Sequence, residues 1–320
     1  MSKLPRWTET DIPDLRGKTA VVTGANTGLG LETTRLLAAH GAAVVMACRS
    51  ETKAEAAADR IRSAVPGARV ATVPLDLASL ASIREAASRI GSDHRQLDLL
   101  INNAGGIRPR HGRTSDGFEE TFGVNHLGTF AFTAQVLELL LATAGSRIVT
   151  VSSVGHRRGS IHFDDLQFDG GYRFQQAYFQ AKLANLMFAY ELQRRLAAVG
   201  AATISVAAHP GNARTEFGRD MSVVVRAAMS SRARFATSWL MQSAELSALS
   251  IVRAAVDVGA QGGEYYGPGG WREFTGWPQR VESIPASHDV EAQRRLWEES
   301  ERLTGITYRI GAEPFPSRRP

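Results

Sequence analysis

The feature that most constrains the fold is an alternation of short apolar, β-branched runs with longer amphipathic stretches over the first 215 residues. Near-continuous apolar runs are typical of strands covered on both faces, and the stretches between them have helical spacing. The alternation predicts an α/β fold with a doubly wound parallel sheet and right-handed crossovers. Strands are expected at residues 19–23, 43–47, 70–74, 97–101, 148–152 and 203–207, and helices at 29–40, 51–65, 80–90, 118–144 and 175–199.

The alternation breaks after Pro210. Residues 216–242 are rich in Met, Ala, Arg and aromatic residues with helical spacing, which predicts a helical substrate lid at about 212–242 that orders on ligand binding. A last strand is expected near residues 262–266 and a final helix near 289–303. We interpret residues 1–320 as a single domain, with a core at about 16–270 and a C-terminal extension at about 271–320.

Charge and composition exclude several classes of protein. The formal net charge is +5, but the arginines are scattered rather than clustered, so no nucleic-acid partner is expected. Cys48 is the single cysteine, which excludes an intrachain disulfide and fits a reducing compartment. The N-terminus lacks the apolar core of a signal peptide, and the longest apolar stretch, 129–144, is interrupted by polar residues. We therefore expect a cytoplasmic protein without a membrane anchor or a metal site.

The first predicted strand leads into the glycine-rich sequence TGANTGLG at 23–30, and a predicted helix follows. Glycines at such a turn let the backbone approach a dinucleotide pyrophosphate, and the free N–H groups of the helix face the phosphates. The G-x-x-x-G-x-G spacing differs from the usual G-x-G-x-x-G, and a plain structural turn is the alternative. The strand-turn-helix context favours a Rossmann-type cofactor site with the ligands Gly24, Asn26, Thr27, Gly28, Leu29 and Gly30.

The end of the second predicted strand bears on the choice of cofactor. An NAD enzyme often has an acidic residue there to bind the ribose 2′-hydroxyl, whereas this chain has Cys48 followed by Arg49. A guanidinium pairs well with a 2′-phosphate. The sequence therefore predicts NADP(H), although Arg49 could also be a surface residue at a strand end.

Tyr178 and Lys182 are four residues apart on a predicted helix and therefore share one face. A nearby ammonium lowers the pKa of a phenol, which would suit Tyr178 to acid–base catalysis. Ser153 follows a predicted strand at the sheet edge where ligands bind, and its hydroxyl can donate to a substrate carbonyl oxygen. A surface tyrosine–lysine pair and a capping serine are the alternatives for these residues.

Taken together, these motifs resemble the short-chain dehydrogenase/reductase family over about residues 16–270. The glycine turn, the sequence NNAG at 102–105, Asn125, Ser153, Tyr178, Lys182 and the Pro210–Gly211 pair occur in the family's order. The sequences ACR at 47–49, IHF at 161–163 and AKLAN at 181–185 look like its retinol-dehydrogenase-like branch, which includes the dehydrogenase domain of the WW-domain oxidoreductase. The first residues do not resemble the N-terminal hydrophobic anchor of membrane-bound animal members, so the resemblance leads us to expect a soluble, bacterial-type member.

The resemblance implies roles for individual residues. Tyr178 is the implied acid/base, Lys182 holds the nicotinamide ribose and tunes Tyr178, and Ser153, rather than Ser152, orients the substrate carbonyl. Asn125 supports a water-mediated proton relay through Lys182; a polar residue satisfied inside a helix is the alternative. The further cofactor contacts that the resemblance implies are Asp76, Leu77, Asn103, Ala104, Gly105, Pro210, Gly211 and Thr215, in addition to Tyr178 and Lys182.

These features predict an oxidoreductase that transfers a hydride between NADP(H) and a small carbonyl or alcohol substrate. An NAD-retaining epimerase or dehydratase and a non-enzymatic NADP(H)-binding sensor or scaffold are the alternatives. Residues 157–174 and 212–242 are expected to wall the substrate pocket, and both a homodimer and a homotetramer remain open. Six aromatic residues suggest an apolar pocket, although aromatics at such spacing also form cores: Phe163, Phe168, Tyr172, Phe217, Phe235 and Trp239.

Overall fold

A computed structural model describes residues 6–212 and 241–311 of the chain. Within these residues, eight strands form one sheet flanked by helices on both faces. The strands are β1 Thr19–Thr23, β2 Ala43–Cys48, β3 Arg69–Pro74, β4 Leu99–Asn102, β5 Arg147–Val151, β6 Ile204–Ala208, β7 Tyr265–Pro268 and β8 Pro278–Arg280. The main helices are α1 Gly28–Ala39, α2 Glu51–Ala64, α3 Leu80–Asp93, α4 Gly128–Leu141, α5 Phe174–Ala198, α6 Ala244–Val256 and α7 Val290–Thr304.

The strand order is β3-β2-β1-β4-β5-β6-β7-β8, and every neighbouring pair except β7 and β8 is parallel. The chain winds from β1 toward β3 and then crosses back to place β4 on the other side of β1. In open α/β sheets, ligands bind in the crevice at such a reversal, beyond the carboxyl ends of the strands. The doubly wound fold is confirmed, and its crevice lies between the ends of β1 and β4.

The sheet separates two apolar layers. One layer packs α1, α2 and α6 on the sheet, with Leu36, Ile61 and Ile251 at most 3% exposed. The other packs α3, α4 and α5 on the opposite face, with Phe130 and Leu192 fully buried. Since both faces are covered, the strands can be apolar throughout, which is the pattern that predicted them.

Several predicted boundaries differ from the structure. The helix expected at 118–144 is one turn at Glu120–Phe122, a π-helical turn at Gly123–Leu127 and then α4. The last predicted strand is displaced toward the C-terminus and forms β7, and β8 and α6 were not predicted. Strand β8 is only three residues long and contains Pro278, so its sequence carries little strand signal.

A cluster of aromatic side chains joins the C-terminal part of the chain to its centre. Trp297 of α7 lies 5.1 Å from Phe130 and 5.9 Å from Phe188, measured between ring centroids. The Tyr308 ring lies 4.4 Å from that of Trp297, and its hydroxyl donates a 2.7 Å hydrogen bond to the Phe130 carbonyl oxygen. The segment from α7 to Tyr308 therefore covers the outer surface of α4 and α5.

The predicted lid at about 212–242 lies almost wholly outside the described residues, as does Thr215. Among the helices of residues 6–212 and 241–311, none has the length and apolar character needed to cross a bilayer.

Candidate active site

The glycine turn between β1 and α1 is shaped by its three glycines. Gly24 and Gly28 have φ values of 64° and 53°, a region that favours glycine. A Cβ on Gly30 would lie 2.4 Å from the Gly24 carbonyl oxygen, so the turn closes only with glycine at that position. Thr27, the residue before α1, makes no side-chain capping hydrogen bond. The first N–H groups of α1 therefore remain available to an anion.

The residues after β4 pack directly on this turn. Asn103 donates a side-chain hydrogen bond of 2.9 Å to the Thr23 carbonyl oxygen. The Thr23 hydroxyl oxygen accepts from the backbone N–H groups of Asn103 and Ala104, at 3.0 and 2.9 Å. A Cβ on Gly24 would meet the Ala104 Cα at 3.0 Å. These contacts hold the two sides of the crevice together where the sequence predicts a dinucleotide.

The residues expected near the adenosine lie along the same edge of the sheet. Arg49 is exposed immediately after β2, whereas Cys48 is only 2% exposed. Burial raises the pKa of the Cys48 thiol to about 11, opposed by hydrogen bonds from the backbone of the glycine turn. Asp76 Oδ1 accepts a 3.0 Å hydrogen bond from the Ala78 N–H, which fixes the carboxylate just beyond β3. A Cβ on Gly128, at the start of α4, would lie 2.3 Å from the Leu77 carbonyl oxygen.

Tyr178, Lys182 and Ser153 lie together where β5 ends against α5. Lys182 Nζ is 5.9 Å from the centre of the Tyr178 ring and donates a 3.1 Å hydrogen bond to the Val151 carbonyl oxygen. The Ser153 hydroxyl is hydrogen bonded to Tyr178 and accepts from the Gly155 N–H at 3.1 Å. The neighbouring Ser152 hydroxyl instead donates to the Lys182 carbonyl oxygen at 2.8 Å. The two serines therefore face different partners, and Ser153 is the one directed at the tyrosine.

Burial dominates the ionisation of the tyrosine and the lysine. It raises the pKa of Tyr178, with a smaller opposing effect from the Ser153 hydrogen bond. Burial therefore sets the direction of the Tyr178 pKa shift in the protein alone, and a lowering of that pKa by Lys182 stays a prediction. Burial also lowers the pKa of Lys182 from 10.5 to about 8. At neutral pH the site pairs a protonated phenol with an ammonium.

Asn125 lies in the π-helical turn, and π-helical turns are frequent at functional sites. Its side chain donates to the carbonyl oxygens of Thr121 and Gly106, at 2.7 and 2.9 Å, and accepts from the Gly106 N–H at 3.0 Å. A Cβ on Gly105 would lie 2.3 Å from Asn125 Oδ1 and 3.4 Å from Lys182 Nζ. Gly105 therefore fits between Asn125 and Lys182, and all three lie at one point of the crevice.

The turn after β6 completes the crevice. Gly211 has a φ of 68°, and its N–H donates to Nδ1 of the buried His209 at 3.2 Å. Nε2 of His209 lies 3.1 Å from a carboxylate oxygen of Glu273, and Arg157 Nη2 lies 2.7 Å from the other oxygen. Burial lowers the pKa of His209, while its pairing with Glu273 opposes that effect. Glu273, which sequence reasoning missed, thus links the Pro210–Gly211 turn to the segment after Ser153.

A cavity of about 630 Å³ opens beside these residues. A Cβ on Gly155, in its wall, would lie 3.3 Å from Tyr178 Cε1, so the cavity adjoins the tyrosine. The predicted wall segments contribute Arg157, Arg158 and Asn212. The described lining residues are Val154, Gly155, Arg157, Arg158, Phe179, Asn212, Arg272, Glu273 and Phe274.

The aromatic residues proposed from the sequence do not line this cavity where they are described. Phe163 packs against the guanidinium of Arg295, Phe168 is 6% exposed against His162, and the Tyr172 hydroxyl donates to the Arg108 carbonyl oxygen. These side chains support the loop between β5 and α5 instead. Phe217, Phe235 and Trp239 lie outside the described residues.

The wall formed by residues 271–274 has an unusual backbone. Arg272 and Glu273 have φ values of 50° and 58°, a region that costs a non-glycine residue about 1–3 kcal/mol. The surrounding loop is held by a 2.8 Å hydrogen bond from the Gly270 N–H to the Thr275 carbonyl oxygen. No sequence signal marked this loop, because the strain falls on ordinary charged residues rather than on glycines.

Comparisons with known proteins agree with this geometry. The sequence pattern of the family described as short chain dehydrogenase matches residues 18–223. Human retinol dehydrogenase 13 is 44% identical over 308 residues, which cover 94% of this chain and 88% of that protein.

Two solved structures are also similar. A protein from Mycobacterium paratuberculosis superimposes with a TM-score of 0.78 at 37% identity, covering 95% of this chain and all of the other. A short chain dehydrogenase from Burkholderia cenocepacia, solved in complex with NADP, has a TM-score of 0.61 at 25% identity, covering 79% of this chain and 96% of the other. The chain therefore belongs to the retinol-dehydrogenase-like branch of the short-chain dehydrogenase/reductase family, whose members are oxidoreductases.

Proposed function

We propose that this protein catalyses reversible hydride transfer between NADP(H) and a carbonyl or alcohol substrate. The observation that carries the proposal is the meeting of Tyr178, Ser153 and Lys182 directly behind Gly155, a residue in the wall of the cavity. Tyr178 is hydrogen bonded to Ser153, and a hydrogen bond to the Val151 carbonyl oxygen holds the lysine ammonium near the phenol. This arrangement supports Tyr178 as the proton donor, with the Ser153 hydroxyl beside it as a second contact for a substrate oxygen.

Two observations on this chain indicate that the crevice can hold a dinucleotide. The glycine turn leaves a space that the Cβ of any other residue at position 30 would fill, and the start of α1 presents uncapped N–H groups. The residues proposed to hold the cofactor are Gly24, Asn26, Thr27, Gly28, Leu29, Gly30, Arg49, Asp76, Leu77, Asn103, Ala104, Gly105, Tyr178, Lys182, Pro210, Gly211 and Thr215. When bound, the cofactor supplies or accepts the hydride.

The residues of the chain supply the proton and the positioning. In the reductive direction, the Tyr178 hydroxyl donates its proton to the substrate oxygen as negative charge develops on that oxygen. The Ser153 hydroxyl donates a hydrogen bond to the same oxygen and orients it. Lys182 provides a nearby positive charge, and Asn125 keeps Gly105 and Gly106 in place beside it. By the family resemblance, Asn125 also supports a water-mediated proton relay through Lys182.

Arg49 is the basis for proposing NADP(H) rather than NAD(H). Its exposed guanidinium follows β2, and no carboxylate occupies position 48 or 49 to repel a 2′-phosphate. A charged hydrogen bond contributes about 1.5–3 kcal/mol, so NADPH should bind roughly ten- to a hundredfold more tightly than NADH. We expect Arg49→Ala to weaken NADPH binding and leave NADH binding nearly unchanged, as measured by titration. Equal affinity of the unaltered protein for the two cofactors would contradict the 2′-phosphate assignment.

We also propose that the body of the substrate is apolar. Val154, Phe179 and Phe274 give the cavity apolar walls beside its charged residues, and a cavity of several hundred Å³ is typical of small-molecule sites. Because similar proteins are named retinol dehydrogenases, all-trans-retinal is the first aldehyde to try.

The deciding experiment measures oxidation of NADPH with retinal and a panel of aliphatic and aromatic ketones and aldehydes. The unaltered protein should turn over at least one class, and Tyr178→Phe should lose about 10²–10⁴-fold in rate while still binding NADPH. NADPH binding without turnover of any compound would instead favour a sensor or scaffold. NAD retained through purification would favour an epimerase or dehydratase.

A further inference from the structure

The charges around the cavity are unbalanced. Among its described lining residues are three arginines, Arg157, Arg158 and Arg272, and one carboxylate, that of Glu273. Glu273 is engaged on both oxygens, by Arg157 at 2.7 Å and by His209 at 3.1 Å. Within residues 6–212 and 241–311, no carboxylate pairs with Arg158 or Arg272. The described part of the lining therefore presents two positive charges without a paired carboxylate.

The backbone places one of these charges at the cavity. Arg272 and Glu273 both lie in the left-handed region, and the ion pair of Glu273 with Arg157 and its contact with His209 tie this strained segment to the rest of the wall. The Arg272 guanidinium lies 4.9 Å from the centre of the Trp271 ring, which orients it without neutralising it. Strain retained on ordinary residues at a cavity wall is typical of functional sites.

The cavity is also apolar next to the tyrosine. Val154, Phe179 and Phe274 share the wall with the arginines, and the Phe179 ring would be 2.9 Å from a Cβ on Gly155. The site thus combines an apolar surface near Tyr178 with two guanidinium groups that pair with no carboxylate of the described residues. A ligand that matches this pattern has an apolar body and an anionic end.

We propose that the substrate class is carboxylate-bearing: an oxo acid or hydroxy acid whose carboxylate is bound by Arg158 and Arg272 while its carbonyl or hydroxyl meets Tyr178. This inference rests on the proposed function and deepens it. Guanidinium groups bind carboxylates through paired hydrogen bonds. Because both arginines are exposed, each contact contributes about two- to fivefold in specificity, and the two together roughly five- to twentyfold.

The test compares 4-oxopentanoate, 6-oxoheptanoate and 9-oxodecanoate with their methyl esters as substrates, using NADPH. We expect the acid to have the higher kcat/KM at the best chain length. Arg158→Gln and Arg272→Gln should each lower the acid-to-ester ratio two- to fivefold, and the double variant should abolish the preference. Arg84→Gln, which removes an exposed arginine of α3 outside the cavity, should leave the ratio unchanged. Equal kcat/KM for acid and ester at every length, or a preference intact in the double variant, would overturn the inference.

Two further measurements separate this inference from folding defects and from the proposed function. In the unaltered protein, raising NaCl from 50 to 500 mM should reduce the acid preference, because salt screens exposed charges; no change would count against the arginines. If no ketone is turned over, calorimetric titration of the NADPH-saturated protein with decanoate and decanamide decides the matter. A preference for decanoate that the double variant loses supports the anion site, and equal affinities overturn it.

Discussion

Replacing Lys182 with methionine should stabilise the protein in the absence of cofactor, even though it removes a residue proposed for catalysis. Lys182 is 5% exposed and makes its one described side-chain hydrogen bond to the Val151 carbonyl oxygen. Methionine has a similar unbranched shape and carries no charge. The Val151 oxygen also accepts from Asn185 at 3.2 Å, so it keeps a donor in the variant.

The magnitude follows from the lysine pKa. Burial lowers that pKa from 10.5 to about 8, and one pKa unit is worth about 1.4 kcal/mol, so holding the ammonium in the folded protein costs about 3 kcal/mol at neutral pH. Loss of the hydrogen bond to Val151 offsets about 1 kcal/mol. We therefore expect Lys182→Met to raise the free energy of unfolding by about 2 kcal/mol at pH 7.

The sign of the pH dependence is a second test. Below about pH 8 the lysine is protonated in both the folded and unfolded states, so the cost is present in full. Between pH 8 and 10.5 the unfolded state binds more protons, so the unaltered protein gains stability as pH rises and the advantage of the variant shrinks. Above pH 10.5 the lysine is neutral in both states and the cost is absent.

Urea unfolding of both proteins without cofactor, at pH 7, 8, 9 and 10, measures the difference directly. Lys53→Met, at an exposed position of α2, is the matched control and should show little change at any pH. The reasoning is refuted if Lys182→Met is less stable than the unaltered protein at pH 7, or if the gap stays constant from pH 8 to 10.

Two other substitutions test the crevice. Gly30→Ala should weaken NADPH binding at least tenfold and destabilise the protein by about 1–3 kcal/mol, because the added methyl group would lie 2.4 Å from the Gly24 carbonyl oxygen. Titration measures the NADPH affinity and urea unfolding measures the stability; an unchanged affinity would contradict this prediction. Ser153→Ala should lower kcat with little effect on stability. Ser152→Ala should mainly lower stability, because the Ser152 hydroxyl donates a hydrogen bond to the α5 backbone. The opposite pattern in rate and unfolding assays would reverse the assignment of the serines.

The sequence predicted the parts of the fold that depend on local pattern. Apolar β-branched runs identified the first six strands, because strands covered on both faces have little polar surface. The glycine spacing located the turn that Gly24, Gly28 and Gly30 make possible. Strand β8 and the wall at 271–274 were not predicted, since they depend on contacts with distant parts of the chain such as Arg157 and His209.

The environment of the site was also beyond sequence reasoning. The four-residue spacing of Tyr178 and Lys182 placed them on one face of a helix, but the spacing did not reveal that both become buried. That burial raises the pKa of Tyr178, which the spacing could not indicate. The aromatic residues at 163, 168 and 172 suggested an apolar pocket, yet they pack within the loop. The sequence did not reveal this, because composition does not distinguish residues that line a pocket from residues of a core.

The aromatic cluster that joins Tyr308 to Phe130 has a consequence for biosynthesis. The two residues are 178 positions apart, and at synthesis rates of 5–20 residues per second the second emerges roughly 9–36 s after the first. During that interval Phe130 and Phe188 lack the rings of Trp297 and Tyr308 that cover them in the finished protein. The nascent chain therefore carries an exposed aromatic surface that the segment from α7 to Tyr308 later covers, and this surface is the one a chaperone would have to protect in the meantime.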